Sequence, residues 1–116
     1  MIKRFLEFDN NKIYFHGTNK RFDEFNKSVR GSYGKGFYFT QSEGTAFSYG
    51  NIIMKCKLIL NNPFYLNSDT FSLWSNKYYN KDKSTLTKRL ISDGYDSVVT
   101  QNEVVVFESN QIIILG

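Results

Sequence analysis

Much of what functional sites are commonly built from is scarce in this chain. Among its 116 residues there is one cysteine, Cys56, which excludes an internal disulfide and leaves no thiolate cluster for a structural zinc. There is one histidine, His16, so a metal site is not expected. The one proline, Pro63, and the absence of repeats, low-complexity tracts and Pro/Gly/Ser blocks leave nothing that reads as a linker; a single domain over 1–116 is expected. No apolar run approaches the length of a membrane span, and no basic start, apolar run and small-residue cleavage site opens the sequence. The expectation is therefore a soluble cytoplasmic protein with no membrane partner. Charge imbalance is modest too. Lys plus Arg number 15 against 11 Asp plus Glu, and the net +4 describes first an ordinary lysine-rich surface, second an affinity for an anionic ligand or nucleic acid.

What the chain has is aromatic rings. They make up 17% of it, nearly all from 11 Phe and 8 Tyr, enough for both a core and a stacking surface. The stretch Gly34 to Tyr49 is where they matter most. Gly34-Lys35-Gly36 precedes the strand-like run Phe37-Tyr38-Phe39-Thr40, and a helix then carries a second tyrosine, Tyr49, at its far end. Each tyrosine offers a flat apolar face and one orienting hydroxyl, so Tyr38 and Tyr49 are spaced to clamp a flat heterocycle.

Around this stretch the pattern predicts a mixed α+β domain whose strands outnumber its helices. Met1 to Phe8 reads as an edge element and Lys12 to Phe15 as a strand running into His16-Gly17-Thr18. Val29 to Lys35, basic and glycine-punctuated, reads as a loop; Ser42 is placed to cap the helix that ends near Tyr49. Ile52 to Leu60 alternates, with Met54, Cys56 and Leu58 on one apolar face, and Phe64 to Leu66 resumes the strand after Asn61-Asn62-Pro63. Thr70 to Tyr79 and Ser84 to Asp93 read as helices. In the second, Ser84 is the expected cap, Leu86, Leu90 and Ile91 share a face, and Gly94 ends it in a left-handed conformation. Ser97 to Thr100, Glu103 to Phe107 and Gln111 to Leu115 read as short strands.

Taken singly, His16 at a strand end and Glu103 opening an apolar strand are ordinary. Their order along the chain is what carries information. His16-Gly17-Thr18, Gly34-Lys35-Gly36-Phe37-Tyr38-Phe39, the small-residue helix from Ala46 to Tyr49, and Asn102-Glu103-Val104-Val105-Val106-Phe107 resemble, in family order, the motifs of the ADP-ribosyltransferase superfamily. The resemblance is to its His-Tyr-Glu branch, which holds the poly(ADP-ribose) polymerases and diphtheria-type toxins. Gly94 to Val99 and Gln111-Ile112 are similar to compact phage and mobile-element members, so the likeness runs from His16 to Gln111.

The resemblance implies two small, mostly antiparallel sheets forming an NAD cleft with a few short helices. It implies NAD as co-substrate and His16, Tyr38 and Glu103 as the catalytic set. Tyr38 and Tyr49 would stack on nicotinamide, the Gly17 backbone would hold its carboxamide, and His16 with Thr18 would hold the adenosine-side ribose. Glu103 would bond the nicotinamide ribose and set negative charge beside the cation that develops as the glycosidic bond breaks. Gly36 and Ala46 fall in the cofactor-binding motifs, and Arg30 and Lys35 are candidate pyrophosphate contacts that read equally well as loop charges. With a short His16–Tyr38 segment and no regulatory helical domain ahead of the fold, mono-ADP-ribosylation is expected rather than polymer growth. The acceptor is expected to be a macromolecule, a protein before a nucleic acid, and the richness in Asn, Lys and Ile suits a phage- or mobile-element-encoded effector. The alternatives are a catalytically silent NAD-, ADP-ribose- or partner-binding module of the same fold, an NAD glycohydrolase, and a nucleic-acid-binding domain in which Tyr33, Tyr38 and Tyr49 stack on bases.

Overall fold

A computed structural model describes residues 11–25, 29–79 and 83–115; the expected edge element at Met1 to Phe8 lies outside them. The strands are β1 (Tyr14–Thr18), β2 (Val29–Gly31), β3 (Gly34–Thr40), β4 (Ile52–Leu58), β5 (Pro63–Tyr65), β6 (Ser97–Val99), β7 (Glu103–Val106) and β8 (Ile112–Ile114). They make one mixed sheet in the order β5-β6-β7-β3-β1-β4-β8, with β2 paired on β3. Only β5 with β6 is parallel. The helices are α1 (Glu43–Phe47), α2 (Phe71–Trp74) and α3 (Leu86–Ser92).

Side-chain alternation builds a core on each face of the sheet. Phe37 and Phe39 of β3, Val104 and Val106 of β7, and Met54, Cys56 and Leu58 of β4 join Tyr14 and Phe25 on the first face. On the second face Val105 and Val98 meet Phe64, Trp74, Tyr78, Leu86 and Leu90, with Tyr33 and Tyr38 packed at the margin. Because β7 is covered on both sides, its sequence is an unbroken apolar run rather than an alternating one. Lys55 and Lys57 alternate outward on β4, which faces a core on one side only.

The α+β class expected from the pattern is present, but the two separate sheets are replaced by one. The joint is slender: β1 and β3 share one registered pair, Phe15 with Thr40, while β1 is in register with β4 along its whole length. A second correction concerns the basic stretch Val29 to Lys35, which is half of a tight hairpin. Residues 29–31 pair with 34–36, and Gly34 takes the positive φ of 99° that the turn requires. A third concerns the late helices. The predicted helix over 70–79 is α-helical only to Trp74 and continues as a π-helical turn, Ser75–Tyr79. Ser84 lies within a 3₁₀ turn, Lys83–Thr85, instead of capping α3, and Ile91 is exposed rather than facing the core with Leu86 and Leu90. Gly94 does end α3, at φ 97°, with its own N–H on the Ile91 carbonyl and that of Tyr95 on Leu90.

Candidate active site

The site is assembled where α1 packs on β1 and β3, with β7 paired alongside β3. Ser42 caps α1 through its side chain, which accepts from the Thr45 N–H at 3.3 Å. That start sets α1 across β1. Gly17 faces the helix so closely that a Cβ there would fall on the Ala46 carbonyl oxygen and near the Tyr49 Cβ. Ala46 is fully buried in this contact, whereas Tyr49 stands 61% exposed just beyond the helix end.

Tyr38 projects from the second face of β3. Its hydroxyl donates to the Gly34 carbonyl at 2.5 Å and accepts from the Tyr33 N–H at 3.0 Å, so the ring is pinned inside the hairpin turn. Gly31 makes the room, since a Cβ there would strike the end of the tyrosine ring. Burial pushes the Tyr38 hydroxyl up to about 12, which keeps it a neutral donor. Gly36 has a packing reason for its lack of a side chain: a Cβ would press on the Val106 carbonyl and the Val105 side chain of β7.

Glu103 opens β7 opposite Thr40. Its backbone is fixed by Thr100, whose N–H donates to the Glu103 carbonyl at 2.8 Å and whose Oγ1 accepts from the Glu103 N–H at 3.0 Å. Burial raises the pKa of the half-buried carboxyl above its ordinary value, an effect that the nearby Tyr49 hydroxyl partly offsets. The carboxylate in turn acts on both Tyr33 and Tyr38; burial is the larger cause of the raised pKa of each, and the charge of Glu103 adds to it. Tyr33, Tyr38, Tyr49 and Glu103 therefore form one electrostatic group.

His16 belongs to the other face of the sheet. Its ring packs edge-on against Phe25 at 5.0 Å between centroids and tilted against Phe39 at 5.5 Å. It is tied to the site through the backbone: Nδ1 donates to the Tyr38 carbonyl at 2.8 Å, just past the point where β1 and β3 stop pairing. Burial lowers its pKa below 6.5, against the smaller effect of that bond, so the ring is neutral with its proton on Nδ1. Thr18 spends its hydroxyl on the turn, donating to the Lys20 carbonyl at 3.1 Å. The side chain of Arg30 lies outside the described residues, and Lys35 is exposed. Among the described residues no group of His, Cys, Asp and Glu is placed to hold a metal ion. Thr100 has no assigned role in the sequence pattern, where it carries only the weak signal of a Thr-Gln-Asn-Glu turn between two apolar runs; Tyr33 enters there only as a base-stacking residue of the nucleic-acid alternative.

Glu103 on β7 and Tyr38 on β3 project from the same face of the sheet, and a carboxylate beside aromatic rings is the kind of arrangement that can take a flat ring and answer positive charge forming next to it. Residues 10–113 match the family model described as "ADP-Ribosyltransferase in polyvalent proteins", and the chain belongs to that family. No curated protein matches the chain. The family assignment supports ADP-ribosyltransferase chemistry, for which NAD is the substrate that such enzymes use.

Proposed function

We propose that the chain is a mono-ADP-ribosyltransferase of the His-Tyr-Glu type that moves ADP-ribose from NAD to a macromolecular acceptor, a protein before a nucleic acid. The observation that carries this reading is the family match over residues 10–113, supported by Glu103 and Tyr38 sharing one face of the sheet. NAD supplies a ribose carbon whose bond to nicotinamide breaks with the electron pair leaving on the ring nitrogen. Glu103 answers the positive charge that grows on the ribose and polarises the acceptor group that attacks the same carbon, taking its proton. Tyr49, exposed beyond the end of α1, closes on the nicotinamide ring against Tyr38, whose own position is fixed by the hairpin. Neutral His16 offers a lone pair at Nε2 to a ribose hydroxyl, beside the single Phe15–Thr40 pair that joins β1 to β3. The Gly17 backbone and Thr18 complete the binding surface in this reading, Gly36 and Ala46 support it from the packed layer beneath, and Arg30 is assigned to the pyrophosphate. Action in the cytoplasm of a producing or infected cell, as a phage- or mobile-element effector, goes with it.

The test is incubation of the protein with labelled NAD and a cell lysate, beside Glu103→Gln. Label on a macromolecule that is lost with the variant supports transfer. Free ADP-ribose as the sole product points to a glycohydrolase, and intact NAD under every condition overturns the enzyme reading in favour of a silent module.

A further inference from the structure

Tyr33, whose N–H donates to the Tyr38 hydroxyl at 3.0 Å, also lines a concave pocket of about 400 Å³ between the β2–β3 turn and the α2 segment. Phe71, Trp74, Tyr79 and Leu66 supply the rest of the wall together with two serines, and no charged side chain lines it. Tyr33 packs at 6.0 Å from Trp74, and Leu66 of the same wall donates its N–H to the Val99 carbonyl, next to the Thr100 whose N–H donates to the Glu103 carbonyl, so the pocket lies alongside the start of β7. The pocket is built of buried and exposed parts: Trp74 is 3% exposed and forms the floor, while Phe71, 60% exposed, stands at the rim. So exposed a phenylalanine contributes little to the core and leaves its ring open to a ligand at the mouth of the pocket.

We propose that this pocket is the acceptor subsite, receiving an uncharged apolar or aromatic side chain of a protein substrate next to the residue that is modified. The assignment rests on the transferase reading for its location and on the lining for its chemistry. A nucleic acid threads phosphates past any base it inserts, and its affinity comes mainly from cations along that path. Here the lining is neutral, and two cations of the adjoining helical layer are engaged elsewhere: Lys77 pairs with Asp93 at 3.2 Å, and Arg89 donates to the carbonyls of Lys77 and Tyr78. A neutral aromatic cavity matches an apolar side chain, the kind of anchor that protein interfaces bury in a pocket. A protein anchored there would present a neighbouring residue across Tyr33 to Glu103.

Trp74 is the only tryptophan of the chain and reports on the pocket directly. N-acetyl-phenylalaninamide, which does not fluoresce under tryptophan excitation, should shift Trp74 emission with a dissociation constant on the order of 1 mM. The shift should weaken at least severalfold in Phe71→Ala and return in Phe71→Leu, and it should persist with NAD present, since donor and acceptor bind together. In the labelling assay Phe71→Ala should lower protein labelling by about tenfold at unchanged acceptor-free NAD consumption, a loss of some 1.4 kcal/mol in acceptor recognition. Equal labelling by wild type and Phe71→Ala overturns the subsite while leaving the transferase intact. Competition of the amide by NAD reassigns the pocket to the dinucleotide, and a response to thymidine monophosphate in place of the amide reassigns it to nucleic acid; either result overturns the proposal. If the wild type consumes no NAD, the transferase reading fails, and the acceptor role falls with it even where the amide binds.

Discussion

His16 Nδ1 lies 2.8 Å from the carbonyl oxygen of Tyr38. A carbonyl only accepts, so the ring proton sits on Nδ1 and Nε2 is left as an acceptor. Replacing His16 with Gln should therefore raise the KM for NAD by about tenfold, one lost hydrogen bond to a ribose hydroxyl, with a smaller change in kcat. The pH behaviour follows from burial, which lowers the folded pKa below 6.5. A depressed histidine contributes no penalty above its unfolded pKa and costs stability as pH falls from there through the folded value. Melting curves of wild type between pH 8 and pH 5 should show this acid loss of stability, and His16→Gln should show less of it.

The two tyrosines should separate in their effects. Tyr38→Phe keeps the ring and deletes a hydroxyl that serves Tyr33 N–H and the Gly34 carbonyl, so it should cost about 1–2 kcal/mol of stability with turnover reduced less than about tenfold. Tyr49→Ala removes an exposed ring, and stability should stay within about 0.5 kcal/mol while NAD turnover falls by about tenfold. Denaturant titration and NAD consumption on the same preparations give both numbers. Equal loss of stability in the two variants would contradict the division between a pinned and an exposed ring.

Gly17→Ala tests the helix contact. A methyl group there meets the Ala46 carbonyl, which belongs to the helix backbone and moves only with α1. Overpacking of this kind should cost about 1–3 kcal/mol and shift Tyr49 with it, lowering NAD turnover more than the stability loss explains. Thermal melts beside kinetics at a temperature well below both midpoints distinguish the two effects.

Gln111 ties four backbone groups together through one buried side chain. Its Oε1 accepts from the N–H groups of Phe107 and Glu108 at 3.1 and 2.9 Å, and its Nε2 donates to the carbonyls of Ile59 and Asp96 at 3.2 and 3.1 Å. Gln111→Leu fits the volume and strands four backbone groups, so it should cost about 3 kcal/mol or more, a fall of roughly 15 °C in Tm.

Local chemistry was legible in the sequence, and long-range joints were not. The Ser42 cap, the alternation through Met54, Cys56 and Leu58 and the left-handed Gly94 all depend on residues within a few positions of one another. The continuity of the sheet depends on one pair, Phe15 with Thr40, twenty-five positions apart, which no periodicity encodes. The β2–β3 hairpin was read as a loop because its glycines and charges hide a three-residue pairing. His16 and Tyr38 were named as partners in chemistry; their side chains occupy opposite faces and meet through a backbone carbonyl, a relation visible only once both strands are placed. Tyr33 acquires its position between Glu103 and Trp74 from three distant segments at once.

Glu103→Gln gives the sharpest test, because activity and stability should move in opposite directions. Burial raises the folded pKa of the carboxyl. A raised acid contributes stability that is fully present below its unfolded pKa, near 4.5, and lost as pH rises through the folded value, so at pH 7 the charged carboxylate is a cost to the fold. Glutamine removes that cost and keeps an acceptor and a similar shape. The variant should lose NAD consumption by a factor of roughly 100 or more, as expected when a group aimed at transition-state charge is neutralised. Its Tm should equal or exceed that of wild type at pH 7, and the difference should vanish toward pH 4. For wild type, the acid limb of the activity profile should lie above the ordinary glutamate value, because the ionised form is the active one. A variant that is both inactive and markedly less stable at pH 7 would mean that Glu103 serves the fold, and the assignment of its carboxylate to the ribose would fail.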